Sequence, residues 1–219
     1  MKQLSLEQKK VYLEKYPMAE YFDFDVRHYL KLFEFEAEEH IFKEGTKPNY
    51  LYYLIEGKAK LYLTHANGKV SLINFITSPS FLGEMELLEA QKTANAIKAT
   101  SKCICYGIDI NACKTQLLSD VKFLNYLCAF LSKKAIANTS NYTKNQSYTL
   151  ENRLANFILM TSHENIYREK HTEASEYLGV SYRHFLYVLS AFCQEGILKR
   201  EAYGYRIIDL KRLTEISNA

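Results

Sequence analysis

The sequence predicts an α+β protein in three consecutive parts: a small antiparallel β-roll, a long helix and a winged helix-turn-helix. Three observations carry this. Between residues 39 and 109, short aromatic and β-branched runs alternate with glycines at 45, 57, 68 and 83. From 120 to 146 the chain has neither glycine nor proline. Residues 171–199 then combine helical spacing of apolar residues with a glycine at a tight corner. The expected domains are a β-roll sensor with an N-terminal helical segment over 1–114, a dimerisation helix over 115–146 and a winged helix-turn-helix over 147–219.

In the first part, residues 51–55, 59–63 and 70–76 are rich in aromatic, aliphatic and β-branched side chains, as half-buried strands require. Ala66-Asn67-Gly68-Lys69 joins the last two. Asn-Gly is a strong hairpin signal because both residues tolerate positive φ, and it sets the expectation of a tight turn here.

The connector carries a helical stripe of Leu124, Leu127 and Leu131, continued on a nearby face by Cys128 and Ala135. Asn138, Asn141 and Asn145 then take over. A single amphipathic helix would show this pattern, and so would a two-helix seam. A palindromic DNA site needs a symmetric dimer, which favours the seam, with Leu124, Leu127 and Leu131 as its residues.

In the last part, Ala174 and Leu178 share a helical face, Ser175 is small enough for a close crossing, Gly179 suits the corner and Val180 plugs it. Phe185, Val188 and Leu189 repeat at helical intervals on the second helix. Ser181 is placed to cap that helix. Its exposed face would be Tyr182, Arg183, His184, Leu186 and Tyr187. Lys199-Arg200, then Tyr203-Gly204-Tyr205 and Ile207-Ile208, read as the wing hairpin, with Arg206 as a further cation. The candidate DNA contacts are therefore Thr172, Ser181, Tyr182, Arg183, His184, Tyr187, Lys199 and Arg200, several of which can reach base edges or phosphates. An ordinary helical hairpin with a polar face is the alternative.

Bulk charge does not argue for DNA. The 219 residues carry a net charge of only +3, and the part after Gln146 is close to neutral, so local cation placement must do the binding. With 47% hydrophobic and 24% charged residues, neither disorder nor a membrane span is expected, and a cytoplasmic protein is. Five cysteines, at 103, 105, 113, 128 and 193, and six histidines show no zinc or haem spacing, so no metal is expected. Cys103 and Cys105, two apart on one strand face with Cys113 nearby, leave a redox role open.

The order of parts, the glycine positions and the run Phe81-Leu82-Gly83-Glu84-Met85-Glu86 resemble the Crp/Fnr superfamily of bacterial transcription regulators over nearly the whole chain. Residues 65–75 and 169–184 are closer still to one narrow branch of it. The resemblance implies a cyclic-nucleotide-binding-like roll, a homodimer and a double-stranded DNA operator. In nucleotide-binding members a Gly-Glu pair begins the cassette, the glutamate accepting a ribose hydroxyl, and an Arg-Ser or Arg-Thr pair further on holds the phosphate. Gly83-Glu84 matches the first. Gln91-Lys92-Thr93-Ala94 departs from the second, no arginine occurs between Arg27 and Arg153, and Glu86 adds a carboxylate that opposes an anion. The candidate effector pocket is Gly83, Glu84, Met85, Lys92 and Thr93, with no cofactor assigned and a cyclic nucleotide disfavoured. Glu84 also reads as a structural carboxylate, and Met85, Leu87 and Leu88 also read as core. The cysteine cluster that holds iron–sulfur near the N-terminus of Fnr-type sensors has no counterpart before Cys103.

No esterase, zinc-protease, P-loop or dinucleotide motif is present, so a binding protein is expected rather than an enzyme. The other function class left open is a ligand-binding roll whose helical C-terminal part contacts protein instead of DNA. An activator would also contact RNA polymerase, for which no residue is singled out.

Overall fold

Strand faces explain the first half of the chain. Its elements are β1 (Lys2–Gln3), α1 (Leu6–Lys15), two 3-10 turns (Ala19–Tyr21 and Val26–Tyr29), β2 (Leu30–Phe35), β3 (His40–Phe42), β4 (Tyr50–Glu56), β5 (Lys58–Thr64), β6 (Val70–Thr77), β7 (Ser80–Leu82), α2 (Glu84–Leu87), β8 (Ala96–Ala99), β9 (Cys103–Asp109), α3 (Ile110–Ser119) and α4 (Val121–Ser147). A five-stranded sheet in the order β1-β2-β9-β4-β7 packs on a four-stranded sheet in the order β3-β8-β5-β6. Side chains alternate across a strand. Phe33, Phe35, Tyr52, Leu54, Cys103 and Cys105 accordingly point into the core shared by the two sheets. Leu32, Leu51, Tyr53, Ile104, Tyr106 and Ile108 point the other way, into a second core with Met18, Phe22, Val26, Phe123 and Leu127. With both faces covered, β4 and β9 read in sequence as nearly unbroken apolar runs.

The computed structural model describes residues 1–68 and 70–218, in two units, Met1–Lys133 and Lys134–Ala219. The hairpin between β5 and β6 is present, but its connection is longer than a two-residue turn. Gly68 alone takes positive φ (+78°), and its amide donates to the His65 carbonyl at 2.8 Å. Asn67 keeps negative φ, so that bond closes a four-residue turn ending on a left-handed glycine. Lys69 lies outside the described residues.

At the root of α4, the Asp120 carboxylate accepts from the Phe123 amide at 2.9 Å and from the Asp23 amide at 2.8 Å. Phe22 stacks on Phe123 with ring centres 5.0 Å apart. The leucine stripe faces inward here. Leu127 is 1% exposed within the second core, and Leu124 and Leu131 are half-buried against it. The expectation that Leu127 sits on a free seam is therefore corrected: the sheet face has already taken this stripe. The open side of α4 instead shows Val121, Cys128, Ala129, Ala135 and Ile136. Asn138 is also exposed, while the side chains of Asn141 and Asn145 lie outside the described residues.

The second unit contains α5 (Leu150–Thr161), β10 (Ile166–Tyr167), α6 (His171–Tyr177), α7 (Tyr182–Gln194), β11 (Leu198–Glu201), β12 (Gly204–Ile207) and α8 (Leu210–Asn218). Its sheet runs β10-β12-β11, so the wing carries a third strand. Leu154, Phe157, Ile158, Phe185, Val188, Leu189 and Leu213 are buried. Thr149 caps α5 by accepting from the Asn152 amide, and the Asn152 side chain donates to the Ile216 carbonyl of α8 at 2.7 Å. Among the described residues no helix is long and apolar enough to cross a membrane.

Candidate nucleic-acid interface

The turn between α6 and α7 is set by three residues. Gly179 takes φ +65°, its amide reaches the Glu176 carbonyl at 3.0 Å, and the Val180 amide reaches the Ser175 carbonyl at 3.0 Å. This closure satisfies the last carbonyls of α6, and a side chain at 179 would be strained. Ser181 then caps α7, its hydroxyl accepting from the His184 amide at 3.3 Å. Ser175 is buried at the crossing, its hydroxyl donating to the Thr172 carbonyl at 2.9 Å.

The strong amphipathicity of α7 separates its two faces. Phe185, Val188, Leu189 and Phe192 are buried; Tyr182, Arg183, His184 and Tyr187 are exposed, Tyr187 at 72%. Arg183 forms no ion pair among the described residues. Thr172, on the first turn of α6, is exposed as well. The structure thus gathers Thr172, Ser181, Tyr182, Arg183, His184 and Tyr187 around α6 and α7, with the open face of α7 carrying one guanidinium and two phenols.

On the wing, Lys199 and Arg200 are exposed. Arg206, opposite Lys199 in the ladder, is held by Glu201 through two hydrogen bonds, and each draws the other toward its charged form. Three features here escaped the sequence reading. His171 packs against the rings of Tyr167, Tyr205 and Phe185, and its burial, followed by the nearby Arg200 charge, lowers its pKa below the usual 6.5. Gly204 brings β12 so close to β10 that a Cβ would lie 2.3 Å from the Tyr167 carbonyl oxygen. A cleft of about 250 Å³ lies at the wing base, lined by Arg168, His171, Arg200 and Tyr203. Only the pairing of β10 with β12, across forty residues, assembles it, and no local signal announces that pairing.

The candidate effector residues are divided. Gly83 takes φ +92°, and a Cβ there would meet the Phe42 ring at 3.1 Å. Glu84 is buried on the short helix α2; Met85, Lys92 and Thr93 are exposed. Leu87 is core, while Met85 and Leu88 are not. Lys60 in β5 is buried, with its ammonium 5.5 Å from the Phe75 ring centre, a placement its sequence context does not signal. Cys103 and Cys105 lie in the core between the sheets and Cys113 in the other core. Burial pushes the thiols of Cys103 and Cys113 up to about 11, and that of Cys105 up strongly, which suppresses the reactive thiolate. No group of three metal-ligating side chains occurs among the described residues.

A cyclic nucleotide-binding domain model matches residues 32–120, and a Crp-like helix-turn-helix domain model matches residues 152–216. The chain is 45% identical over 193 residues to the regulatory protein YeiL of Escherichia coli O157:H7, with 88% of each chain covered. This is the branch that residues 65–75 and 169–184 resemble. The fold is similar to that of a Crp/Fnr-family regulator from Eubacterium rectale ATCC 33656, at 18% identity and TM-score 0.76, covering 99% of this chain and 96% of that one. A CRP-family regulator from Thermus thermophilus is similar at 17% identity and TM-score 0.70, covering 85% and 97%. The chain belongs to the Crp/Fnr family of transcription regulators, with a cyclic-nucleotide-binding-like domain followed by a helix-turn-helix DNA-binding domain.

Proposed function

We propose that the protein is a cytoplasmic homodimer that reads a two-fold symmetric operator through α7. The exposed Arg183, flanked by Tyr182 and Tyr187 on the open face of a capped helix, carries this reading. A guanidinium can bond guanine O6 and N7 together in the major groove, while Thr172, Ser181 and His184 are placed for the backbone or neighbouring bases. Lys199 and Arg200 would meet phosphates from the wing. With two phenols beside the single guanidinium, the preferred site differs from the best-known operator of the family.

Dimerisation is assigned to the open face of α4, where Val121 and Ile136 are 67% and 70% exposed. Half-buried Leu124 and Leu131 would border that seam. In this reading residues 1–114 sense, 115–146 connect and dimerise, and 147–219 bind DNA. Gly83, Glu84, Met85, Lys92 and Thr93 mark the effector region, whose ligand is not a cyclic nucleotide. The protein acts by binding, without catalysis, and as an activator would touch RNA polymerase. Selection from a random double-stranded DNA library tests the reading. Enrichment of a palindrome with half-sites about one helical turn apart is expected; no enrichment overturns it in favour of a protein partner for the C-terminal unit.

A further inference from the structure

A second site lies in the C-terminal unit, away from the reading face of α7. A cleft of about 150 Å³ runs along α5, with Phe157, Met160 and Tyr177 as apolar and aromatic walls, Tyr148 at one end, and Arg153 as its cation among the neutral polar groups of Asn152, Asn156, Ser217 and Asn218. A cavity of this size accommodates a single benzene-sized ring.

Arg153 is the informative residue. Its Nη1 donates to the Leu178 carbonyl, whereas Nε and Nη2 donate to nothing among the described residues, and Nε is shut off from solvent. Arg153 forms no ion pair among those residues; Glu151 on the same helix is the one charge that offsets its desolvation. A buried N–H without an acceptor, as at Nε, is costly, and Nη2, unpartnered but not sealed with it, is the donor that a carboxylate in the cleft can reach. One cation among aromatic walls suits a single carboxylate on a flat apolar body better than a phosphate, which needs more donors. We propose that this cleft binds a small planar monocarboxylate, with the carboxylate on Arg153 Nη2, the ring lying against the contacting pair Phe157 and Tyr177 and against Met160, and the Asn156 amide at the rim. Tyr148 immediately precedes the Thr149 cap of α5, so an occupant would bear on the segment that starts this helix.

Titration calorimetry of the full chain with sodium benzoate, and separately with benzamide, tests this without DNA, so its outcome is independent of operator recognition. Benzoate should saturate one site per chain, and benzamide, the neutral isostere, should bind at least about tenfold more weakly. Arg153→Lys should weaken benzoate by about tenfold or more, because one flexible ammonium cannot hold the Leu178 carbonyl and the ligand carboxylate in the fixed geometry of the guanidinium. Since Arg153 also supports Leu178, Asn156→Trp provides the second variant. The exposed Asn156 tolerates replacement, and the indole should fill the cleft and abolish the benzoate heat at an unchanged unfolding midpoint. The absence of saturable heat near about 10 mM benzoate, equal binding of benzamide, or binding that survives Asn156→Trp would overturn the proposal.

Discussion

Arg206 on β12 holds Glu201 on β11 diagonally across the wing, Nε to Oε1 at 2.5 Å and Nη2 to Oε2 at 3.2 Å. Its charge is thereby committed within the hairpin, and Lys199 and Arg200 are the wing cations presented outward. Lys199→Ala and Arg200→Ala should each weaken binding uniformly across DNA sequences and lower the slope of log K against log salt by about one. The paired replacement of Arg206 and Glu201 by glutamine should leave that slope unchanged. Fluorescence anisotropy over a salt series reads both.

Arg183 should behave differently from the wing. Arg183→Ala is expected to cost about 1–3 kcal/mol per half-site on the selected operator and much less on random DNA. Competition binding with both DNAs distinguishes a base reader from a phosphate clamp, since a clamp loses equally on the two.

Two positions on α4 separate folding from assembly. Leu127→Ala should lower folding stability by about 2–5 kcal/mol, because it empties a site in the second core of the first unit. Ile136→Glu leaves that core intact and places like charges on the open face, so it should yield folded monomers. Light scattering with thermal melts resolves the pair; a dimer unchanged by Ile136→Glu would refute the seam.

His171 makes the C-terminal unit acid-sensitive. Its folded pKa is depressed below 6.5 by burial and by Arg200, so the unfolded chain binds the proton more tightly. Stability should be full above that value and fall as pH drops through 6.5 toward the lowered folded pKa. His171→Phe should flatten this part of the profile in chemical denaturation, leaving the carboxylate losses at lower pH.

Cyclic AMP and cyclic GMP should give no saturable heat at millimolar concentration in calorimetry. Lys92 and Thr93 are exposed where a phosphate-binding arginine would be needed, and Glu84 is buried. Micromolar binding would show that another group supplies the missing partner.

Features encoded by neighbouring residues were readable in advance. Gly179 and Ser181 define the helix-turn-helix corner and cap within three positions, and the central strands announce themselves by composition. What depends on distant partners was not. Leu30–Phe35 lacks turn residues of its own and becomes a strand by pairing with Cys103–Asp109; the two-residue Ile166–Tyr167 needs Gly204 to approach. The Leu124, Leu127 and Leu131 stripe correctly marks a buried helical face, but periodicity does not say what buries it. The division of the effector residues between core and surface was hidden for the same reason.

Asp120 joins two stretches of chain that sequence distance keeps apart, taking one amide from residue 23 and one from residue 123. A bending or twisting load carried down the long helix therefore ends in a clamped joint whose other jaw is the N-terminal arm. The arm is a bearing for that helix, and trimming it would loosen the helix at its fixed end without altering any residue of α6 or α7.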